Sequence, residues 1–396
     1  MRCFLKNLVP KFKYKQLIVS EMDTQTRFDL ITRNTEEVLT PDDLRNLLEQ
    51  GIKLRHYIGF EVSGQVHLGT GLMSGMKIAD FQKAGADCSC YLATWHAWIN
   101  NKLGGNLDVI RKSAEYFKQG LISGIEIMGG DPDKVKFVNG DDLYHNNDDY
   151  WLTVIDVAKN MSLARAMRSI TIMGRKEGEN VPLAAFMYAP MQVADIFIQN
   201  LNLVHAGIDQ RKAQVVAREV ALKLGIKPLV HKGKKYKPVA VHHHLILGLQ
   251  KPSMWPVPAD KMQELWSEMK MSKSVKGSAV FVHDSPDEIR EKLNNAFCPA
   301  KEAAFNPVLD WAKSLVFSIE KNVLDIERAE KFGGPVAYDS YSKLEKDFVA
   351  GSLHPLDLKK GLAEYLVKLL EPARKRFDKP AIKKLKEEIQ KVEITR

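Results

Sequence analysis

Residues 54–93, LRHYIGFEVSGQVHLGTGLMSGMKIADFQKAGADCSCYLA, decide the fold. The first seven, 54–60, are rich in apolar and aromatic side chains and read as a buried strand. Residues 61–65 form a turn containing Ser63 and Gly64. From His67 the apolar positions Leu72, Met76 and Ile78 fall at helical spacing as far as Ala84, and Gly85 is a suitable stop. Residues 88–93 read as a second strand. Strand, turn, helix, strand is the opening unit of a parallel α/β sheet.

The same reading extends outward. Thr40 is a good N-cap and Pro41 suits the first helical position, so a helix is expected from there to about residue 50. Downstream, residues 107–125 predict a helix with Val109, Ile110, Ala114, Phe117 and Leu121 towards one face. Residues 135–138 predict a short strand, and about 150–172 a single long helix. Then follow a helix over 187–200, a strand over 203–206, a helix over 209–224 and a buried strand over 239–245. A polar loop at 270–277 leads to a last strand at 279–282. Ser285-Pro286-Asp287-Glu288 has the form of a capping box, so a helix starts at Pro286. Beyond it strands are expected to disappear, with Leu358, Leu362, Leu366 and Leu369 forming one apolar stripe. The expected division is a basic N-terminal extension at 1–24, an α/β domain at 25–284 and a helical domain at 285–396.

With 396 residues, 45% hydrophobic and 27% charged, the chain is long enough for two or three domains and has ordinary globular composition. Collagen, a disordered chain and a disulfide miniprotein are excluded. No apolar run is long enough for a membrane-spanning helix. Four cysteines, Cys3, Cys88, Cys90 and Cys298, are too few and scattered for a disulfide framework, and a reducing cytoplasm is the simple expectation. The net charge is +9, concentrated at the ends. Residues 1–20 hold five basic residues and no acid, and residues 356–396 hold 12 basic and 7 acidic. Residues 1–20 lack the pattern of a secretory signal. An organelle transit segment, an unstructured tail and upstream sequence before a working start at Met22 all stay open.

Two short segments carry chemistry. His67-Leu68-Gly69-Thr70 opens a helix after a strand, where free backbone N–H groups and the helix dipole favour phosphate. Lys270-Met271-Ser272-Lys273-Ser274 is a cationic loop suited to charge on a transferring phosphoryl group. Alone, the first is commonly just a helix start and a lysine-rich loop commonly just solvated. Together they resemble the signature of class I aminoacyl-tRNA synthetases. The flanking Tyr57-Ile58-Gly59-Phe60-Glu61, Tyr188-x-x-Met191-Gln192-Val193-x-Asp195 and Asp209-Gln210-Arg211-Lys212 resemble the tyrosyl-tRNA synthetases of the archaeal and eukaryotic-cytosolic type. The resemblance spans residues ~30 to ~377.

That resemblance implies a Rossmann-like catalytic domain with an inserted segment at about 95–185, then a helical anticodon-binding domain. It implies that tyrosine is held by Tyr57, Tyr188, Gln192, Asp195 and Gln210, with Tyr57 and Asp195 at the phenolic hydroxyl. The spacings of four and three put Tyr188, Gln192 and Asp195 on one helical face, as such a role requires. It assigns ATP to His67, Gly69, Asp209, Lys270 and Lys273, with His67 and the two lysines as the catalytic set and magnesium accompanying ATP. It assigns tRNA to Arg168 and Arg211 near the acceptor stem, and to Phe332, His354 and Asp357 at the anticodon. It implies a homodimer, joined across the inserted segment, acting on L-tyrosine, ATP and tRNA(Tyr) in the cytoplasm.

Three departures concern site detail: Thr70 where histidine is frequent, Thr94 where aspartate is frequent, and Ala206-Gly207 for a double glycine. The stretch 250–268 is longer than the family norm. His242-His243-His244 invites a metal reading, but neighbours on a strand point to opposite faces, so no metal site is expected. Cys88 and Cys90 are expected as buried thiols on one strand face. The lysine cluster at 232–237 reads as a solvated loop or an RNA contact. Two alternatives remain: a tryptophanyl sibling, against which the polar pair Tyr57 and Asp195 argues, and a non-catalytic RNA-binding paralogue, against which the retained lysines and ligand set argue.

Overall fold

The computed structural model describes residues 22–258, 261–272, 275 and 277–391, except the side chains of residues 262–264 and 267. Its strands are β1 (Glu37–Leu39), β2 (Arg55–Glu61), β3 (Asp87–Ala93), β4 (Val135–Asn139), β5 (Leu203–Gly207), β6 (Val230–His231), β7 (Lys234–Lys235), β8 (Val239–His243), β9 (Leu324–Ile326) and β10 (Val336–Tyr338). Its first helices are α1 (Thr24–Thr32), α2 (Pro41–Glu49), α3 (Leu68–Lys83), α4 (Thr94–Ile99), α5 (Leu107–Ile127), α6 (Gly140–Tyr144), α7 (Asp148–Lys159), α8 (Leu163–Ser169), α9 (Ala185–Ile198) and α10 (Arg211–Val220). After β8 follow α11 (Met262–Met269), α12 (Pro286–Asn294), α13 (Pro307–Trp311), α14 (Tyr341–Ala350), α15 (Pro355–Leu369), α16 (Glu371–Phe377) and α17 (Pro380–Gln390).

The main sheet runs β1-β8-β5-β2-β3-β4, with β1 antiparallel to β8 and every other pair parallel. Counted in chain order, the parallel strands lie 3-2-1-4-5, the doubly wound arrangement. The direction of winding reverses between β2 and β5, and ligands of such sheets bind outside the strand C-termini at that crevice.

Period-two alternation gives the sheet two cores. Ile58, Phe60, Cys88, Cys90, Leu92, Leu203, Val239 and Val241 enter one apolar cluster; Tyr57, Tyr91, Ala93, Val204 and Ala240 enter the other. Cys88 and Cys90 are indeed buried free thiols. The first cluster continues past residue 284 into Ile289, Leu293, Trp311, Leu358, Leu362 and Leu366, so the C-terminal helices share its packing. Helices α3 and α5 approach closely because Gly75 has no Cβ; one there would stand 2.5 Å from the Gly124 carbonyl oxygen.

Several local expectations change. The long helix expected over 150–172 is two helices and a 3-10 turn, because Ser162 takes an N-cap position and accepts from the Arg165 N–H at 3.2 Å. Residues 279–282 do not join the sheet. They hydrogen-bond the turn between β2 and α3 instead, through Leu68 N to Val280 O and Val282 N to Val66 O. Strands do not end at residue 284, since β9 and β10 pair as an antiparallel hairpin. The capping box is present: the Ser285 hydroxyl accepts from Glu288 N while the Glu288 carboxylate accepts from Ser285 N. No helix among the described residues is long and apolar enough to cross a membrane.

Candidate active site

A cavity of about 310 Å³ opens at the C-terminal ends of β2, β3, β5 and β8. Tyr57, His67, Gly69, Tyr188, Gln192, Asp195, Asp209, Gln210 and Lys270 all line it. Lys273 lies outside the described residues.

At one end stands Asp195, fully buried on α9. The Tyr144 hydroxyl donates to its Oδ1 at 3.1 Å and is itself bonded to the Tyr91 hydroxyl. His96 Nε2 lies 3.9 Å from Oδ2. Burial pushes the Asp195 carboxyl well above the usual carboxylate range, and hydrogen bonds from the Tyr144 and Tyr150 hydroxyls only partly offset this. Tyr57 is buried across from Tyr91, with ring centroids 6.0 Å apart. A further hydroxyl brought to Asp195 would be favoured, because a buried carboxyl lacks water to solvate it.

Next along the cavity, Gln192 Nε2 donates to Gln210 Oε1 at 3.4 Å, and Gln210 Nε2 to the Ile172 carbonyl at 3.1 Å. Among the described residues the buried Gln192 Oε1 has no partner. It is an acceptor available to an ammonium group. Tyr188 packs edge-on against His96 at 4.5 Å.

At the other end, His67 N-caps α3, its Nδ1 accepting from the Thr70 N–H at 3.2 Å. Thr70, the departure from the family word, holds the same imidazole through its Oγ1 at 3.2 Å from Nε2. A Cβ on Gly69 would sit 3.2 Å from the His67 ring, so glycine keeps this turn open to a phosphate. Lys270 Nζ pairs with Asp209 Oδ2 at 2.6 Å. Burial raises the Asp209 carboxyl, but the Lys270 ammonium outweighs it and holds the group below its ordinary value.

The remaining nominated residues lie elsewhere. Arg168 lines a shallow groove with Arg165, Ser162 and Glu219. Arg211 pairs with Glu37 at 2.8 Å and borders a second groove with Arg218 and Lys237. Phe332 is 59% exposed, in the connection between β9 and β10. His354 N-caps α15, and Asp357 is in that helix's first turn. Arg328 joins the two segments, donating to Gly334 O at 2.6 Å and Ser352 O at 2.9 Å.

The three adjacent histidines diverge. His242 faces Glu37, His243 bonds His205, and His244 bridges Glu36 and Asp310. Among the described residues no three ligand-type side chains gather as a metal site. Tyr91, His96 and Tyr144 were not singled out from sequence as site residues. Only their place on β3, α4 and α6 brings them to Asp195.

Residues 49–371 match the family of class I tRNA synthetases for tryptophan and tyrosine (W and Y). The chain is 57% identical over 361 residues to the tyrosine–tRNA ligase of Thermococcus sibiricus, covering 90% of this chain and 96% of that one. It superposes on the crystal structure of the tyrosyl-tRNA synthetase of Pyrococcus horikoshii complexed with L-tyrosine, with TM-score 0.90 and 55% identity, over 93% of this chain and all of that one. The tryptophanyl-tRNA synthetase of Aeropyrum pernix shares the fold at 18% identity and TM-score 0.60, over 90% of this chain and 85% of that one.

The chain belongs to the class I tRNA synthetases of the tryptophan and tyrosine family. Within that family it is of the archaeal tyrosyl type, and its activity is the ligation of tyrosine to tRNA, with ATP as co-substrate.

Proposed function

We propose that the cavity divides the reaction between its two ends. Tyr57 and Asp195 take the phenolic hydroxyl of tyrosine; Tyr188, Gln192 and Gln210 take its ammonium group. Phenylalanine would leave the Asp195 carboxyl without a new partner, which is the physical basis of rejection. His67, Gly69 and Lys270, with Lys273, take the ATP phosphates, and Asp209 takes the ribose. The tyrosine carboxylate attacks the α-phosphorus in line, pyrophosphate leaves, and tyrosyl adenylate forms. The terminal ribose hydroxyl of tRNA then attacks the acyl carbon and AMP leaves. No enzyme nucleophile takes part, so positioning and charge stabilisation supply the rate. Magnesium would enter with ATP and supply positive charge there without a dedicated protein cage.

The observation that carries this reading is the convergence of nine of these residues, from segments more than 200 residues apart, on one cavity at the winding reversal. Pyrophosphate exchange tests it. Asp195→Asn should damage the dependence on tyrosine, and Lys270→Ala the turnover; exchange untouched by both would refute it.

Arg168 and Arg211 serve the acceptor stem, where an arginine fork suits a guanine edge. Phe332, His354 and Asp357 read the anticodon by stacking and hydrogen bonding. Their link through Arg328 supports a single reading surface. The boundary near residue 284 then separates two jobs, although the apolar core crosses it. A homodimer forms across the inserted segment at about 95–185. Its support is exposed apolar side chains there: Leu152 and Ile155 on α7, Leu163 and Met167 on α8, and Leu183. Light scattering on Leu152→Glu/Ile155→Glu should show a monomer where the parent is a dimer. The setting is the cytoplasm, in keeping with the free thiols of Cys88, Cys90 and Cys298.

A further inference from the structure

Three histidines on neighbouring strands form a buried row beneath the nucleotide end of the cavity. His56 on β2 and His205 on β5 are fully buried, and His243 on β8 is 5% exposed. The strand pairing explains the row. Ile58 stands opposite His205, and Gly207 opposite His243, so each histidine is two residues out of step with the next, on one sheet face. His56 Nε2 lies 3.3 Å from His205 Nδ1, and His205 Nε2 lies 2.8 Å from His243 Nδ1. Phe81 of α3 covers the first two rings.

Burial holds all three imidazoles neutral: His56 is depressed to about 3, His243 to about 4, and His205 well below its ordinary value. A neutral imidazole carries one N–H, so His205 must donate on one side and accept on the other. The row therefore has only two proton arrangements. In one, the N–H groups point towards His56 and leave its Nδ1–H buried with no acceptor. In the other they point towards His243, leaving a bare lone pair at His56 Nδ1 and an N–H at His243 Nε2. Among the described residues His56 Nδ1 has no hydrogen-bond partner.

The charges at the two ends choose between them. Lys77, buried on α3 with its ammonium 5.0 Å from the Phe81 ring centre, imposes a positive field on His56. A lone pair is favoured there and an N–H is not. Asp209 imposes a negative field on His243 that exceeds the opposing field of the neighbouring His244 imidazolium. His243 lines the cavity, and a Cβ on Gly207 would lie 3.6 Å from its Nε2 and 2.8 Å from Asp209 Oδ1. An N–H is favoured there.

We propose that the row His56–His205–His243 is a proton-ordered positioning chain that presents His243 Nε2–H, beside Asp209, as a hydrogen-bond donor to the ribose of ATP. A ribose hydroxyl has one hydrogen to donate and lone pairs to accept with. Asp209 takes the hydrogen and His243 Nε2–H meets a lone pair, so the pair recognises a hydroxyl from both sides. This rests on the assignment of the ribose to Asp209. His243 contacts the nucleotide; His205 and His56 are positioning residues that fix its tautomer.

The test combines spectroscopy and kinetics. Nitrogen-15 NMR of histidine-labelled protein should show His243 protonated at Nε2 and not Nδ1; the reverse tautomer overturns the proposal without any variant. In pyrophosphate exchange, His243→Leu should raise the KM for ATP about fivefold and leave that for tyrosine in place. His243→Gln, whose amide N–H reaches the same position, should recover most of the loss. A merely structural role would not distinguish glutamine from leucine in this way, and an unchanged KM for ATP in His243→Leu overturns the proposal. Should His205→Leu fold, it should raise the KM for ATP about threefold. Asp209→Asn separates the two assignments. If it leaves the KM for ATP unchanged the ribose assignment fails on its own, while the histidine's part is still decided by His243→Leu against His243→Gln.

Discussion

The two ends of the cavity are built on different principles. At the phenol end, Asp195 is buried and its surroundings are neutral: hydroxyls of Tyr57, Tyr91 and Tyr144, and an imidazole of His96 that burial depresses to about 4. Among the described residues no lysine or arginine pairs with this carboxyl; its partners are hydroxyls. At the nucleotide end the charged groups among the described residues are already paired with one another. Lys270 holds Asp209, and the His67 imidazole holds the helix start. ATP has to take over partners that the protein now supplies to itself. Selection between amino acids thus draws on a fixed, costly buried group, whereas activation draws on exchangeable contacts. A buried carboxyl kept without a counter-ion discriminates well because the wrong ligand displaces water and adds no hydrogen bond to it. A paired lysine can change partner at little cost.

The sharpest way to break this contrast is a pair of substitutions that should affect opposite ends. Lys270→Ala is expected to lower the rate of adenylate formation about 100-fold and to leave the KM for tyrosine in place, measured by single-turnover and exchange kinetics. Asp195→Asn should lower kcat/KM for tyrosine about 50-fold and leave the KM for ATP in place. The same Asp195→Asn protein should melt at a higher temperature than the parent, because a neutral amide removes the cost of a buried carboxyl. Unfolding followed by circular dichroism checks this, and a lower melting temperature would place the stabilising role of Asp195 above its selective one.

Away from the cavity, Phe332→Ala should raise the KM for tRNA about tenfold in aminoacylation while pyrophosphate exchange proceeds as before. A fall in both would tie the β9–β10 connection to the catalytic end. The smallest effect concerns the clamp behind β8. Burial would lower the His244 imidazole, but the carboxylates of Asp310 and Glu36, at 2.8 and 2.7 Å, push it up to about 9. Its unfolded value is about 6.5. The folded state therefore binds the proton more tightly. The stabilisation is complete below pH 6.5 and is lost as pH rises from there through about 9. Urea denaturation should show stability falling over that window, and His244→Gln should flatten the fall.

The parts legible in the sequence are those set by local spacing. Tyr188, Gln192 and Asp195 share a helix face because they are four and three residues apart, and all three line the cavity. Thr40 and Ser285 cap the helices their neighbours foretell. The parts that were not legible depend on distant partners. Tyr144 and His96 meet Asp195 only through the β3–β4 side of the sheet. The histidine triplet is a tempting pattern in one dimension, but its members face Glu37, His205 and two carboxylates in three directions. The 150–172 helix breaks because Ser162 offers a cap that periodicity alone does not weigh. Residues 279–282 have strand composition yet pair with a turn, since β8 already has β1 on its free side.

The most direct test is pyrophosphate exchange driven by tyrosine and by phenylalanine, in the parent and in Asp195→Asn. The parent should exchange with tyrosine and barely with phenylalanine, and Asp195→Asn should lose most of that preference while still responding to ATP as before. A preference for tyrosine that survives Asp195→Asn intact would contradict the account, because the buried carboxyl would then not be what tells the two amino acids apart.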